Sequence, residues 1–202
     1  MAYLSLSDFK TYKGIVGTAD DALIAQLIAR AQGYIENVTD RVFEAAADTT
    51  RYFDAWRDVN IHDETFHGRR LLRLDRDLCQ ITSIVNGDGT TVSSSEYVTE
   101  PRNTTPWYAI RLKINSSIVW VWTTSPENAI SVTGRWAYSL TPPADVVQAT
   151  AELTSYFYAR RGAELQQFDQ PQVSPSGVTI FPAGLPQVVK DVASKYQKTG
   201  FP

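Results

Sequence analysis

The hydrophobic period of this chain changes twice, from about 3.6 residues to two and back again, and that alternation limits its possible folds more than any other feature. Thr18-Ala19-Asp20-Asp21 sets a hydroxyl at an N-cap position and carboxylates in a first turn, where unpaired backbone N–H groups and the helix dipole favour them. Leu23, Ile24, Leu27, Ile28, Ala31, Ile35 and Val38 then recur at spacings of three and four, which predicts one apolar stripe on a helix over 19–40. Ahead of it, Ser5-Leu6-Ser7-Asp8-Phe9-Lys10 predicts a short capped helix ended by Gly14 and Gly17.

From Arg51 the period is two. Tyr108, Ile110, Leu112 and Ile114 alternate with Ala109, Arg111 and Lys113, as on a half-buried strand. Ile130, Val132, Trp136 and Tyr138 do the same, with Gly134 on that face leaving room for a neighbouring ring or a bulge. Residues 118–123 predict a shorter strand with Trp120 and Trp122 on one side. Residues 80–85 and 91–93 flank Asn86-Gly87-Asp88-Gly89, a tight-reversal sequence. Leu71-Leu72-Arg73-Leu74 and Arg51-Tyr52-Phe53 add edge strands, for about six in all. All five tryptophans, Trp56, Trp107, Trp120, Trp122 and Trp136, fall in this stretch.

At Thr141-Pro142-Pro143 the helical period returns, prolines suiting a first turn whose N–H groups are unpaired anyway. Val146, Val147, Thr150, Leu153, Tyr156 and Phe157 carry the stripe of a helix to about Arg161. A polar, proline-containing loop over 166–177 follows, and a last helix begins near Pro186 with Val188, Val189, Val192 and Tyr196 on one side. The expected class is therefore α+β: a small bundle of about four helices, residues 1–50 and 141–202, interrupted by an antiparallel β-sheet or barrel-like insertion over 51–140.

Composition narrows the function classes. A net charge of −3 argues against a non-specific nucleic-acid coat. With 43% hydrophobic and 20% charged residues the chain can bury a core. A single cysteine, Cys79, leaves no intramolecular disulfide and too few thiolates for structural zinc. No apolar run approaches the ~20 residues a bilayer demands, and the start of the chain has no signal-peptide pattern, so the expectation is a protein made and kept in a reducing cytoplasm, or assembled there.

Catalytic and metal-binding patterns are poor. His62 and His67, beside Asp63 and Glu64, have neither metalloprotease nor zinc-finger spacing and read as a solvated loop. A calcium loop counted from Asp58 has Asp63 where glycine is needed and Arg69 where a chelating glutamate is needed. Asp75-Arg76-Asp77 reads as a polar turn with self-compensating charge; Glu96 and Glu100 form another carboxylate pair, and Cys79 has no histidine near it in sequence. No enzymatic activity, cofactor or metal is expected. Arg69, Arg70, Arg73 and Arg76 form the single basic cluster. The interspersed Asp75 and Asp77 make it a solvated or intersubunit salt-bridged face rather than a nucleic-acid site.

The order of these elements resembles the head–tail connector (adaptor) proteins of tailed bacteriophages. The carrying residues are Leu4-Ser5-Leu6-Ser7-Asp8-Phe9-Lys10, Asp20-Asp21-Ala22-Leu23-Ile24, Ala29-Arg30-Ala31-Gln32-Gly33-Tyr34-Ile35-Glu36 and Thr39-Asp40-Arg41. Ile130-Ser131-Val132-Thr133-Gly134-Arg135-Trp136, leading into Pro142-Pro143-Ala144-Asp145-Val146-Val147, and the Tyr158 to Arg161 end are similar to longer members with a β-insert between helices. The resemblance implies a structural virion protein at the head–tail junction, made in the host bacterial cytoplasm. It implies a homo-oligomeric ring, roughly twelvefold, beneath the portal protein, with a stopper or tail-completion protein as next partner. DNA would pass through the lumen without sequence-specific binding, and no membrane is involved. On this view the stretch from 166 onward is an arm whose anchors on portal or neighbour are Phe181, Val188, Val192, Tyr196 and Phe201. Arg69, Arg70, Arg73, Trp120 and Trp122 are the candidates for intersubunit or tail contact.

Two other classes remain open. An aromatic-rich carbohydrate-binding or host-recognition module requires Trp120 and Trp122 exposed and coplanar. An enzyme using His62 or His67 requires them to converge with Asp63 or Glu64 in a pocket.

Overall fold

The computed structural model describes residues 2–45, 47–59, 70–160, 172–173, 179–180 and 184–198. The chain divides into two compact units, one of Ala2–Asp40 with Pro143–Pro202 and one of Arg41–Pro142.

In the helical unit, α1 (Leu6–Lys13) starts where the Ser5 hydroxyl accepts the Asp8 N–H at 3.1 Å and ends at Gly14, whose φ of 66° is the left-handed cap that glycine takes without strain. Its Phe9 is fully buried against Ile24 and Ile28 of α2 (Asp21–Thr39) and Ala151 of α3 (Ala144–Ala159), and meets Tyr158 edge-on with ring centroids 6.4 Å apart. The buried face of α2 runs Ile24, Leu27, Ile28, Ala31, Ile35 and Thr39; of the predicted stripe, Leu23 and Val38 are only half-buried. Lys10 bridges to Asp21 at 2.7 Å, and the Tyr158 hydroxyl donates to Asp20 at 2.7 Å. On α3 the buried threonines return their hydroxyls to the preceding turn, Thr150 to Val146 O and Thr154 to Thr150 O, so neither buried hydroxyl is left unpaired. The last helix, α4 (Gln187–Tyr196), packs on α2 and α3 through Val189, Val192 and Tyr196.

The other unit holds two open, three-stranded antiparallel sheets. β1 (Thr49–Phe53), β6 (Ile130–Arg135) and β3 (Gln80–Val85) form one, with β6 central. β2 (Leu71–Leu78), β5 (Trp107–Leu112) and β4 (Tyr97–Glu100) form the other, with β5 central. The fold is thus α+β as expected, but the barrel-like alternative is not formed: the chain changes sheets at Cys79, between β2 and β3, and neither sheet closes. A two-residue pair, β7 (Gln172–Val173) and β8 (Thr179–Ile180), lies in the C-terminal part.

A shared core of Phe53, Leu72, Leu74, Leu78, Ile84, Ile110, Leu112, Trp120, Ile130, Val132 and Trp136 holds the two sheets. Along β6 burial alternates as the sequence predicts. Gly134 makes room for a bulge rather than a ring: the register of β3 shifts between Ile81 and Ser83, and a Cβ on Gly134 would stand 2.0 Å from the Gln80 carbonyl oxygen.

Three expectations are corrected. Residues 118–123 are not a strand; Trp122 only forms an isolated bridge to Gly87. The Asn86 amide replaces the ladder there, donating to Val119 O at 2.9 Å and accepting from Val121 N at 3.2 Å. Asp75-Arg76-Asp77 is no turn but part of β2, where the register slips between Arg73 and Leu78. The alternation proposed for residues 108–114 fails at both ends, since Tyr108 and Ile114 are exposed while Ala109 is buried with Ile110.

Candidate functional site

The chemistry-bearing residues of the β unit are committed to structural pairs. Asp77 accepts from Arg41 at 2.6 Å, and the Arg41 guanidinium lies 5.6 Å from the Tyr138 ring centroid. Asp75 accepts from Arg51 at 2.6 Å, which also stacks over Trp136. Glu100 accepts from Arg111 at 2.5 Å and is thereby held as one half of an ion pair. Cys79 is buried, burial raises its thiol pKa, and its Sγ–H donates to Arg135 O, so it lacks the thiolate character of a nucleophile. Among the described residues no cluster of three or more His, Cys, Asp or Glu could hold a metal ion, and no helix is long and apolar enough to cross a membrane. His62, Asp63, Glu64 and His67 lie outside the described residues.

Trp120 is fully buried and its indole N–H donates to Arg70 O at 3.0 Å; Trp122 is half-buried against the same core. The two rings therefore form no exposed sugar-stacking platform, and the carbohydrate-binding reading loses the feature that motivated it. Arg70 is turned to the same loop: its guanidinium donates to Lys113 O at 2.5 Å and Ser116 O at 3.2 Å, stapling 113–116 to the start of β2. Arg73 is exposed on edge strand β2, and Arg69 lies outside the described residues.

Of the proposed arm anchors, Val192 and Tyr196 face into their own helical unit at 3% and 7% exposure, and Val188 is half-buried. The Tyr196 hydroxyl donates to Asp145 at 2.9 Å, Lys195 Nζ reaches the same carboxylate at 2.6 Å, and Lys198 N–H donates to Thr39 O. These bonds tie α4 to the start of α3 and the end of α2. Phe181 and Phe201 lie outside the described residues.

What the surface offers instead is grooves and edges. In the helical unit, Leu23, Leu27 and Arg30 of α2 and Phe157 and Arg160 beside them line a groove of about 400 Å³. The Arg160 guanidinium is held over the Tyr156 ring, 4.9 Å from its centroid. In the β unit, edge strand β4 borders two further grooves, of about 540 and 380 Å³. β4 is not among the strands expected from the sequence. Its signal was there, a β-favouring Tyr97-Val98-Thr99 stopped by Pro101, but four residues are too few to show a period.

Residues 3–66 match the family model described as phage gp6-like head-tail connector protein, so the family resemblance read from the sequence is borne out over that stretch. Over nearly its whole length the chain also shares the fold of solved neck components. One is from the "Neck of empty GTA particle computed with C6 symmetry", at TM-score 0.60 and 16% identity, covering 98% of this chain and 91% of that one. Another is from the "Neck of native GTA particle computed with C12 symmetry", at TM-score 0.54 and 13% identity, covering 97% and 89%. No curated protein matches the chain significantly.

Proposed function

We propose that this chain is a structural head–tail connector, a non-enzymatic subunit that assembles as a ring beneath the portal and joins the DNA-filled head to the tail. One conjunction carries the reading: a connector-family match at the N-terminal end, within a fold shared with neck chains from end to end. Those necks were computed with C6 and C12 symmetry, which fits a ring of roughly twelve copies. Closed rings use heterologous contacts, in which different surfaces of adjacent subunits meet. Arg73 on edge strand β2 and the half-buried Trp122 are candidates on one such surface. Portal on one side and a stopper or tail-completion protein on the other complete the proposed partners.

The experiment is native mass measurement of the chain with and without portal-bearing heads, followed by imaging of the particles. The expected result is a discrete ring at the head–tail junction when portal is present. A chain that stays monomeric and unbound in the presence of portal-bearing heads overturns the proposal.

A further inference from the structure

We propose that the groove between α2 and α3 docks an acidic amphipathic helix of a partner protein, one that presents an apolar anchor between two carboxylates spaced two turns apart. The floor of the groove is apolar, built by Leu23 and Leu27 of α2 and Phe157 of α3. Leu27 is buried, while Leu23 and Phe157 are left half-buried with about 400 Å³ open above them. The two helices run antiparallel. Tyr158, near the end of α3, bonds to Asp20 at the start of α2; at the other end, Tyr196 bonds to Asp145 and Lys198 N–H to Thr39 O. Arg160 thus stands toward the Leu23 end of the floor. Arg30, seven residues on from Leu23, lies about 10 Å further along α2.

Both charged groups that line this groove are cations, and no carboxylate lines it. The acidic side chains of α2, its cap and α3 are occupied elsewhere. Asp20 accepts from Tyr158, Asp21 pairs with Lys10, Glu36 accepts from Tyr3, Asp145 from Tyr196 and Lys195, and Glu152 from Gln148. Arg30 is exposed, and among the described residues it makes no hydrogen bond or ion pair. Arg160 is positioned by the Tyr156 ring, which attracts a guanidinium without cancelling its charge, and its five N–H donors exceed what the bond to Tyr156 Oη uses. Charge complementarity therefore selects a carboxylate at each end of an apolar anchor. On a helix, carboxylates at i and i+7 stand about 10 Å apart on one face, with i+3 and i+4 between them, which matches the span of this floor. Such a helix lies in a groove by its apolar face. A second copy of this chain fits poorly. Within its described helices only Asp145 and Glu152 of α3 have the seven-residue spacing, and Asp145 is tied to Lys195 and Tyr196.

The test uses the full chain and three synthetic helical peptides of about sixteen residues, titrated by calorimetry. The first carries leucine and phenylalanine at i+3 and i+4 between glutamates at i and i+7. The second has lysine in place of both glutamates, and the third moves the glutamates to the opposite face. The first is expected to bind at least about tenfold tighter than either of the others. Arg30→Glu changes an exposed side chain and is expected to leave the circular dichroism of the chain as it was. It is expected to weaken the first peptide about tenfold or more and to turn the preference toward the lysine peptide. No binding of the first peptide at about millimolar concentration, binding equal to that of either control, or binding unchanged by Arg30→Glu overturns the proposal. So does self-association of the chain that Arg30→Glu abolishes, which would give the groove to a second copy. None of these outcomes depends on whether the chain forms a portal-bound ring.

Discussion

At Gly134 a single missing methyl group decides whether two strands can meet. The β3 backbone passes where a Cβ would be, with Gln80 O at 2.0 Å, and backbone cannot swing aside as the end of a side chain can. Gly134→Ala should therefore cost about 3 kcal/mol or prevent folding, read from urea unfolding of a chain that otherwise keeps its circular dichroism. Trp120 is the converse, a large group filling space between the sheets. Trp120→Ala should cost about 3–5 kcal/mol, with the loss measured by the same unfolding curve; a cost below about 1 kcal/mol would mean the ring is not a core residue at all. Its burial was not legible from its neighbours. Trp120 and Trp122 are two apart, and that spacing mimics a strand. What places them is the amide of Asn86, more than thirty residues away, together with the Arg70 carbonyl.

Among elements, α4 is the one whose role changed most between sequence and structure. Its apolar stripe was legible because helical spacing is a local property, but the sequence does not say whether such a stripe meets a partner or its own chain. The answer lies in Asp145. Burial disfavours its charge, yet hydrogen bonds from Lys195 and Tyr196 outweigh that and hold its pKa below the ordinary 3.8. A carboxylate with a depressed native pKa adds stability above its unfolded value, and that stability is lost as pH falls through the native one. Asp145→Asn should thus lower the thermal midpoint at pH 7, and the gap from the parent chain should narrow once the pH drops below about 3.8, as thermal melts across that range would show. A gap independent of pH would assign the effect to lost packing. Strands were legible where burial alternates along them, and lost where charged residues interrupt the pattern, as at Asp75-Arg76-Asp77 of β2, or where the run is very short. β6 declared itself over six residues, whereas β4 did not over four, and the grooves beside β4 stayed hidden because they join residues from 79 to 115.

For the whole molecule, charge and connectivity matter more than any one contact. With a net charge of −3 and Arg51, Arg41, Arg111 and Arg135 tied to Asp75, Asp77, Glu100 and Asp48, the chain offers duplex DNA little to hold. Micromolar protein should give no gel shift of duplex DNA at ~0.15 M salt. A salt-sensitive shift would contradict the picture of a channel wall past which DNA slides.

The two ends of the β unit are fastened to each other. Tyr138 N–H donates to Val42 O at 2.8 Å, Ser139 Oγ donates to Phe43 O, Glu44 and Ser139 form a bridge, and the Phe43 and Tyr138 rings sit 5.7 Å apart. About a hundred residues thus leave and re-enter the α2–α3 connection through a clasped neck. Closing a free loop of that length instead of a short turn costs on the order of 2–3 kcal/mol in chain entropy, and the clasp relieves the helices of it. Seen this way the insertion is a cassette: its outer loops and edges can lengthen, shorten or change partners while the helix pair keeps the short hairpin closure it would have without it.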